Sequence, residues 1–261
     1  MPKTVREKLP AVSIIVPTLN EEHYLPLLLD SLVRADASME IIVVDGNSTD
    51  GTVRAARKFV PQFSGDRSLR IVSSERGISV QRNYGAALAK HAFLLFLDAD
   101  VVIPSAAAYE KFVSEFAVGG YAVASPLIVG IERHLVSDVV YAGFHLLQRM
   151  YLLFGKAYFP GACMLTRKDV FEALGGFDTS HHVAEDLEYS LKAARSGRPG
   201  LLGVRIPTST RRFKRHGYMS VCKTYITGAL RVMFTGRIPR EHQSYPFGEY
   251  PKPAPSWKRN R

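Results

Sequence analysis

Residues 93–100 read FLLFLDAD: five apolar side chains run without interruption into Asp98, Ala99 and Asp100. A short continuous apolar run suits a strand buried on both faces of a sheet. Two carboxylates one residue apart at the end of such a strand are costly unless something neutralises them. A hard divalent cation does so, because it prefers oxygen ligands. A solvated turn or a helix cap would also accommodate the pair, so the motif alone leaves both open.

Comparable runs at 11–17 (AVSIIVP), 40–45 (EIIVVD) and 69–73 (LRIVS) predict three further strands. Helical spacing lies between them, at 21–34 through Leu25, Leu28, Leu29 and Leu32, at 52–60, and at 78–90 through Val80, Tyr84, Ala87 and Leu88. Alternating strand and helix implies an α/β layer fold around a mostly parallel sheet. Ligands bind such sheets at the carboxyl ends of the strands. Asn20, Asp45 and Asp98 all fall just past a predicted strand end. The second half is less regular, with strands predicted at 121–129 and 161–165 and helices at 134–154, 168–174, 184–196 and 218–234.

The chain has 261 residues, 46% hydrophobic and 22% charged, which is the balance of an ordinary globular protein with ample core. The two cysteines, Cys163 and Cys222, are too few for a disulfide framework and lack zinc-site spacing, so they read as buried small hydrophobes. No apolar signal segment opens the sequence, and a cytoplasmic protein is expected. The formal charge is +10, and between Glu188 and Glu241 there are twelve Lys and Arg residues and no acid. A field of one sign attracts a polyanion: a diphosphate, an anionic membrane surface or nucleic acid. A solvated basic face is the plain alternative.

In VVDGNSTDGT (43–52), Asp45 closes a strand and could reach a base or a ribose hydroxyl, while Thr49 and Asp50 read as caps of the next helix. In IIVPTLNEE (14–22), Pro17 ends the strand and Glu21 and Glu22 start a helix, one of them serving its dipole. Glu185-Asp186 opens another predicted helix, either as first-turn acids or as a carboxylate general base. His181 and His182 read as loop residues rather than metal ligands.

PTLNEE, VVDGNSTDGT, RGISVQRNYGAALA, FLDAD, PGACMLTRKDVFEALGGFD and AEDLEYSLKAARSG follow one another in the order found in family 2 glycosyltransferases of the GT-A fold, which this chain resembles over about residues 11–200. The resemblance implies a nucleotide-sugar-dependent enzyme that inverts the anomeric centre. By it, Pro17, Asn20, Glu22 and Asp45 hold the base and ribose, and Arg76 and Arg82 lie near the base and diphosphate, with Arg82 favoured by its place in QRN. Asp100 binds Mg2+ or Mn2+ directly, and Asp98 is shared between ribose and metal. Gly161 and Ala162 lie where the acceptor-side loop passes close to the sugar, and Asp186 is the catalytic base with Glu185 beside it. The QxxRW motif of processive synthases is absent, which favours addition of a single sugar.

Past residue 200 the resemblance weakens. Arg211 and Arg212 open a basic loop after a predicted strand, and one of them is expected to close over the donor diphosphate, since guanidinium forks fit phosphate oxygens. His216 is either a loop residue or a metal ligand. The segment 134–154 carries His134, Asp138, His145, Gln148 and Arg149 on one stripe of an otherwise apolar helix. Asp138 and Arg149 argue against a spanning helix, leaving burial under the C-terminal helix or a place in the membrane interface.

The expected organisation is one GT-A domain over 10–240, with a nucleotide-sugar-binding half at 10–101, an acceptor-side half at 102–240, and a basic Pro-rich tail at 241–261. The expected partners are a nucleoside-diphosphate sugar and an acceptor hydroxyl, lipid-linked among other options, with peripheral contact at the inner face of an anionic membrane and no nucleic acid. A nucleotidyltransferase is disfavoured by the acidic PTLNEE where a basic phosphate loop would be needed. A nonenzymatic membrane-surface or nucleic-acid binder would use the basic C-terminal third but would not need the strand-end acids.

Overall fold

The computed structural model describes residues 9–132, 134–180 and 184–211, together with residues 213, 217, 218, 223 and 227. The helix expected at 218–234 and the tail at 241–261 therefore lie outside the described residues, apart from the isolated positions named. So do Arg212, His181, His182, His216 and Cys222.

A single seven-stranded sheet forms the centre, in the order β3-β2-β1-β4-β6-β5-β7. Its first four strands are β1 (Val12–Thr18), β2 (Met39–Asp45), β3 (Arg67–Ser73) and β4 (Phe93–Leu97). They are parallel, and the helices α1 (Leu25–Val33), α2 (Thr52–Arg57) and α3 (Ile78–Leu88) connect them. Strands β5 (Val123–Gly130), β6 (Cys163–Arg167) and β7 (Pro199–Thr208) complete the sheet. β6 runs antiparallel to both β4 and β5, whereas β7 is parallel to β5.

Strand periodicity explains the layering. Ile14, Val16, Ile41, Val43, Leu95 and Leu97 pack on one face, with Leu25, Leu28 and Leu32 of α1. Ile15, Ile42, Val44, Leu94 and Phe96 pack on the other, with Phe171, Phe177 and Tyr189. Successive strand residues point to opposite faces, so a strand covered on both sides reads as an unbroken apolar run. β3 departs from that expectation. It is an edge strand with one fully buried residue, Leu69.

Three other expectations are corrected. β1 extends through Pro17 to Thr18. Pro17 is tolerated because the β1–β4 ladder has already ended at Ile15. α1 begins at Leu25, so Glu21 and Glu22 precede it instead of opening it. Finally, α4 (Ala106–Gly119) occupies a stretch where no helix was expected. Its signals are local: Ser105 caps Ala108 N–H at 3.1 Å, Tyr109, Phe112, Val113 and Phe116 form the buried stripe, and Gly120 ends the helix in the left-handed region.

The remaining helices are α5 (Leu135–Leu153), α6 (Lys168–Ala173) and α7 (Glu185–Ser196). α5 packs on β5 and β7. His145 contacts the Ile128 carbonyl at 2.9 Å, and Gln148 donates to the Tyr158 carbonyl at 3.1 Å. The polar stripe thus turns partly inward, and an apolar face is left outside. The helix is not buried on all sides. Among the described residues no helix is long and apolar enough to cross a membrane.

Candidate active site

The carboxyl ends of β1, β2 and β4 place three loops side by side. Asn20 has φ 57° and Asn47 φ 65°, left-handed conformations that asparagine tolerates. Asn20 accepts the Thr49 N–H at 2.9 Å and offers its own N–H to Ser48 Oγ at 2.9 Å. Both oxygens of Asp45 are engaged by Ser48, from the N–H at 3.0 Å and from the hydroxyl at 2.5 Å. Asp50 accepts the Thr52 N–H at 2.9 Å from just outside α2, whose N-cap position is held by Gly51 and not by the expected Thr49 or Asp50. Glu22 accepts the Gly51 N–H at 2.8 Å. The expected base and ribose residues are therefore neighbours, and in this structure they brace one another's loops.

The triplet Gln81-Arg82-Asn83 on α3 connects this crest to the rest of the site. Gln81 donates to the carbonyls of Thr18 at 2.8 Å and Val44 at 2.7 Å. Asn83 holds Phe177 by both backbone groups, at 2.8 and 2.9 Å. Arg82 is fully buried, pairs with Asp98 at 2.9 Å and Glu185 at 2.7 Å, and lies over the Phe177 ring at 5.3 Å. The guanidinium of Arg82, expected near the base and diphosphate, is enclosed here between two carboxylates and a ring. Burial works against its charge, but Asp98, Glu185 and Asp186 outweigh that and raise its pKa. Gly85 makes the close seating of α3 possible, because a Cβ there would meet Ile15 Cγ2 at 2.5 Å.

The acceptor-side loop closes on the same arginine. A Cβ on Gly161 would lie 2.4 Å from Arg82 Nη2. The Gly161 N–H donates to Asp186 Oδ2 at 2.6 Å, and the Leu187 N–H donates to Oδ1 at 2.8 Å. Asp98 N–H donates to the Ala162 carbonyl at 3.0 Å, binding this loop to the strand-end acids. Ala184, just before α7, has φ 65°, a conformation that costs alanine about 1 kcal/mol. Burial, with the charge of Asp186 adding to it, pushes Glu185 up to about 7 against the pull of Arg82.

A second arginine serves the other aspartate. The backbone around Asp100 is held by β7: Val101 bridges to Thr208, and Ser209 N–H donates to the Asp100 carbonyl at 3.1 Å. Arg211 then reaches Asp100 Oδ2 through Nε at 2.9 Å and grips Glu21 with both terminal nitrogens, at 2.8 and 2.7 Å. Its guanidinium stacks 4.5 Å over the Tyr24 ring. Arg211 thus lies on the strand-end acids, as a counter-charge to Asp100, where closure over a diphosphate was expected. Burial pushes Glu21 up to about 7, with Arg211 opposing and Asp100 and Asp98 adding to the rise. Glu21 and Tyr24 are site residues that the sequence reading missed; two glutamates before an apolar helix were the available signal.

The residues present fit a hard divalent cation. Asp98 and Asp100 offer oxygen ligands at the strand crest, and each already has a cation beside it, Arg82 and Arg211. Among the described residues no three His, Cys, Asp or Glu side chains converge as a cage. A bound cation would complete its shell with phosphate oxygens and water, a habit of Mg2+ in phosphate sites. Cys163, at the foot of this region, is buried with its thiol pKa raised well above the usual value, as a small hydrophobe would be.

Residues 13–175 match the family model "Glycosyl transferase family 2". A PGL/p-HBAD biosynthesis glycosyltransferase of Mycobacterium bovis is 31% identical over 184 residues, covering 70% of this chain and 69% of the relative. A 4,4'-diaponeurosporenoate glycosyltransferase of Staphylococcus aureus is 24% identical, covering 70% of this chain and 51% of the relative. Among solved structures, the Pyrobaculum calidifontis mannosyltransferase PcManGT, in complex with GDP-Man and Mn2+, superposes with a TM-score of 0.69 at 23% identity, over 92% of this chain and 69% of that one. Staphylococcus aureus TarS 1–349 in complex with UDP-GlcNAc gives 0.61 at 20% identity, over 89% and 69%. These likenesses show the GT-A fold, and the family match and the mycobacterial relative go further: this chain belongs to glycosyl transferase family 2.

Proposed function

We propose that this enzyme transfers one hexosyl unit from a nucleoside-diphosphate sugar to an acceptor hydroxyl, with inversion and dependent on Mg2+ or Mn2+. One observation carries the reading. The guanidinium of Arg82 lies between Asp98 of the strand-end pair and Glu185, the neighbour of Asp186. Donor-side acids and a candidate base are thereby brought to one centre from opposite halves of the chain, 10–101 and 102–240.

Asp186 takes the proton of the acceptor hydroxyl as its oxygen forms a bond to the anomeric carbon. The bond from that carbon to the diphosphate oxygen breaks on the opposite side, and the electron pair leaves with the diphosphate. One displacement at one base inverts the centre. The Gly161 and Leu187 N–H groups fix the orientation of the Asp186 carboxylate. Asp100 and Asp98 would hold the metal, which supplies positive charge to the departing diphosphate. Arg211 has the planar fork that suits phosphate oxygens once its hold on Asp100 is exchanged. Pro17, Asn20, Glu22 and Asp45 line the base and ribose end, and Gly161 borders the sugar.

The test is nucleotide release from a panel of UDP- and GDP-linked sugars, with and without EDTA, for the intact chain and for Asp100→Asn and Asp186→Asn. Both variants lose turnover by about 100-fold or more, the usual worth of a general base or a metal ligand. Asp186→Asn keeps its donor affinity. Release from no donor, or release indifferent to EDTA, overturns the proposal. Full activity in either variant removes that residue from its role.

A further inference from the structure

Helix α5 is built with an apolar face outward. Leu135, Val139, Leu146, Met150, Leu153 and Phe154 are all exposed, Leu135 at 79% and Leu153 at 83%. Leu135, Val139, Leu146, Met150 and Leu153 recur at spacings of four, seven, four and three, which is one stripe of a helix. Single exposed leucines are ordinary, but a contiguous apolar stripe along a whole helix marks a contact surface.

The charge around the stripe tells what it meets. Arg149 at its edge and Arg205 on β7 are both exposed, and both lie close enough to His145 to act on its titration. Tyr218 stacks on His134 at 6.1 Å and Phe213 meets Tyr141 edge-on at 5.6 Å, so these two residues of the stretch without acids between Glu188 and Glu241 lie alongside this helix. Asp138 is the one exposed acid on α5. An apolar face flanked by the exposed Arg149 and Arg205, with Asp138 as the one acid on the helix, complements a lipid surface of negative charge.

The inner face of α5 reaches the chemistry. Tyr151 and Tyr158 pack with Leu187, the residue after Asp186. The segment that follows α5 leads directly to Gly161, whose N–H is on Asp186. The outer stripe and the residue that packs on Leu187 thus lie on opposite faces of one helix, about 10 Å thick.

We propose that the outer face of α5 docks on an anionic lipid bilayer, so that the enzyme works at the membrane surface on an acceptor hydroxyl carried by a lipid. The acceptor clause rests on the glycosyltransferase reading; the docking clause does not. Full-length protein is floated with phosphatidylcholine vesicles, plain or with phosphatidylglycerol, and compared with the double variant Leu146→Glu, Leu153→Glu. The wild type binds the anionic vesicles, and the variant's partition falls about tenfold or more. Nucleotide release to water, measured without vesicles, is the same for both proteins and shows that the variant is folded. It also tests the glycosyltransferase reading by itself.

Equal binding by the two proteins, or no binding by the wild type, overturns the docking surface. Equal binding to plain and anionic vesicles overturns its charge preference. A dimer in sedimentation equilibrium that the variant dissolves, without vesicle binding, overturns the lipid occupant in favour of a second copy. Wild-type turnover that is no faster on a lipid-borne acceptor in vesicles than on its water-soluble headgroup overturns the acceptor clause.

Discussion

Arg82 and Arg211 each hold one aspartate of the 98–100 pair against a glutamate from elsewhere in the chain, yet they are anchored differently. Arg82 is fully buried, rises from the core helix α3, and is enclosed by Phe177 and Gly161. Arg211 follows the last strand, and its partner Glu21 sits in a loop. A buried arginine between two acids has no alternative partner, so it belongs to the scaffold. Arg211, a tenth of whose side chain is exposed, can be exchanged for another cation. The same residue type, with the same pairing, thus supports rigidity at one aspartate and exchange at the other.

The largest effect that would break this comparison is on stability. Arg82→Met leaves Asp98 and Glu185 without their cation, and unfolding free energy falls by about 3–5 kcal/mol in urea titrations. A loss as small as that expected for Arg211→Met would place the two arginines in one class. Gly161→Ala comes next. Its methyl group collides with the Arg82 guanidinium, and the expected loss is about 1–3 kcal/mol, with turnover falling alongside. Unchanged melting and unchanged activity would mean that the enclosure of Arg82 is loose.

Arg211→Met is milder, about 1 kcal/mol, because Glu21 with a pKa near 7 can take up a proton in place of its lost partner. In Mn2+ titrations followed by electron paramagnetic resonance, without donor, this variant binds the ion about fivefold more tightly, since a competing charge has gone. Equal or weaker Mn2+ binding would make Arg211 a fixed element like Arg82. The smallest effect is on pH dependence. The folded-state pKa values of Glu21 and Glu185 lie above the ordinary 4.5, near 7, so the folded protein keeps protons that the unfolded chain has lost. Their contribution to stability is therefore complete below the unfolded value and is lost as pH rises through 7. Melting temperatures in EDTA fall across that window, and Glu21→Gln flattens the slope; a slope that Glu21→Gln leaves unchanged refutes the share given to that residue.

The difference between the two arginines also marks what the sequence could say. The N-terminal part of the sheet was legible because β1, β2 and β4 are continuous apolar runs with acids or polar residues at their ends. The partners of Arg82 were not legible, since its burial between Asp98 and Glu185 depends on a helix 103 residues away in sequence. Glu21 does not open the helix, because α1 starts at Leu25, the first of its spaced leucines, and not at the predicted boundary of residue 21. α4 was missed although its cap and stripe are local. For α5, spacing identified the stripe, but which side faces inward is decided by Ile128 and Tyr158, whose carbonyls take up His145 and Gln148.

Gln81, Arg82 and Asn83 point about 100° apart around α3, which is why three consecutive residues reach the strand crest, the acids and the turn at Phe177. The helix therefore behaves as a spindle whose rotation sets all three at once. Loops at the rim can lengthen or shorten with local effect, but deleting one residue between Ile78 and Gln81 would turn the whole triplet away from its targets together. Insertions and deletions tolerated across this protein should accordingly leave a gap over the first turns of α3, a pattern that a scanning-deletion library would reveal as a single sharp notch.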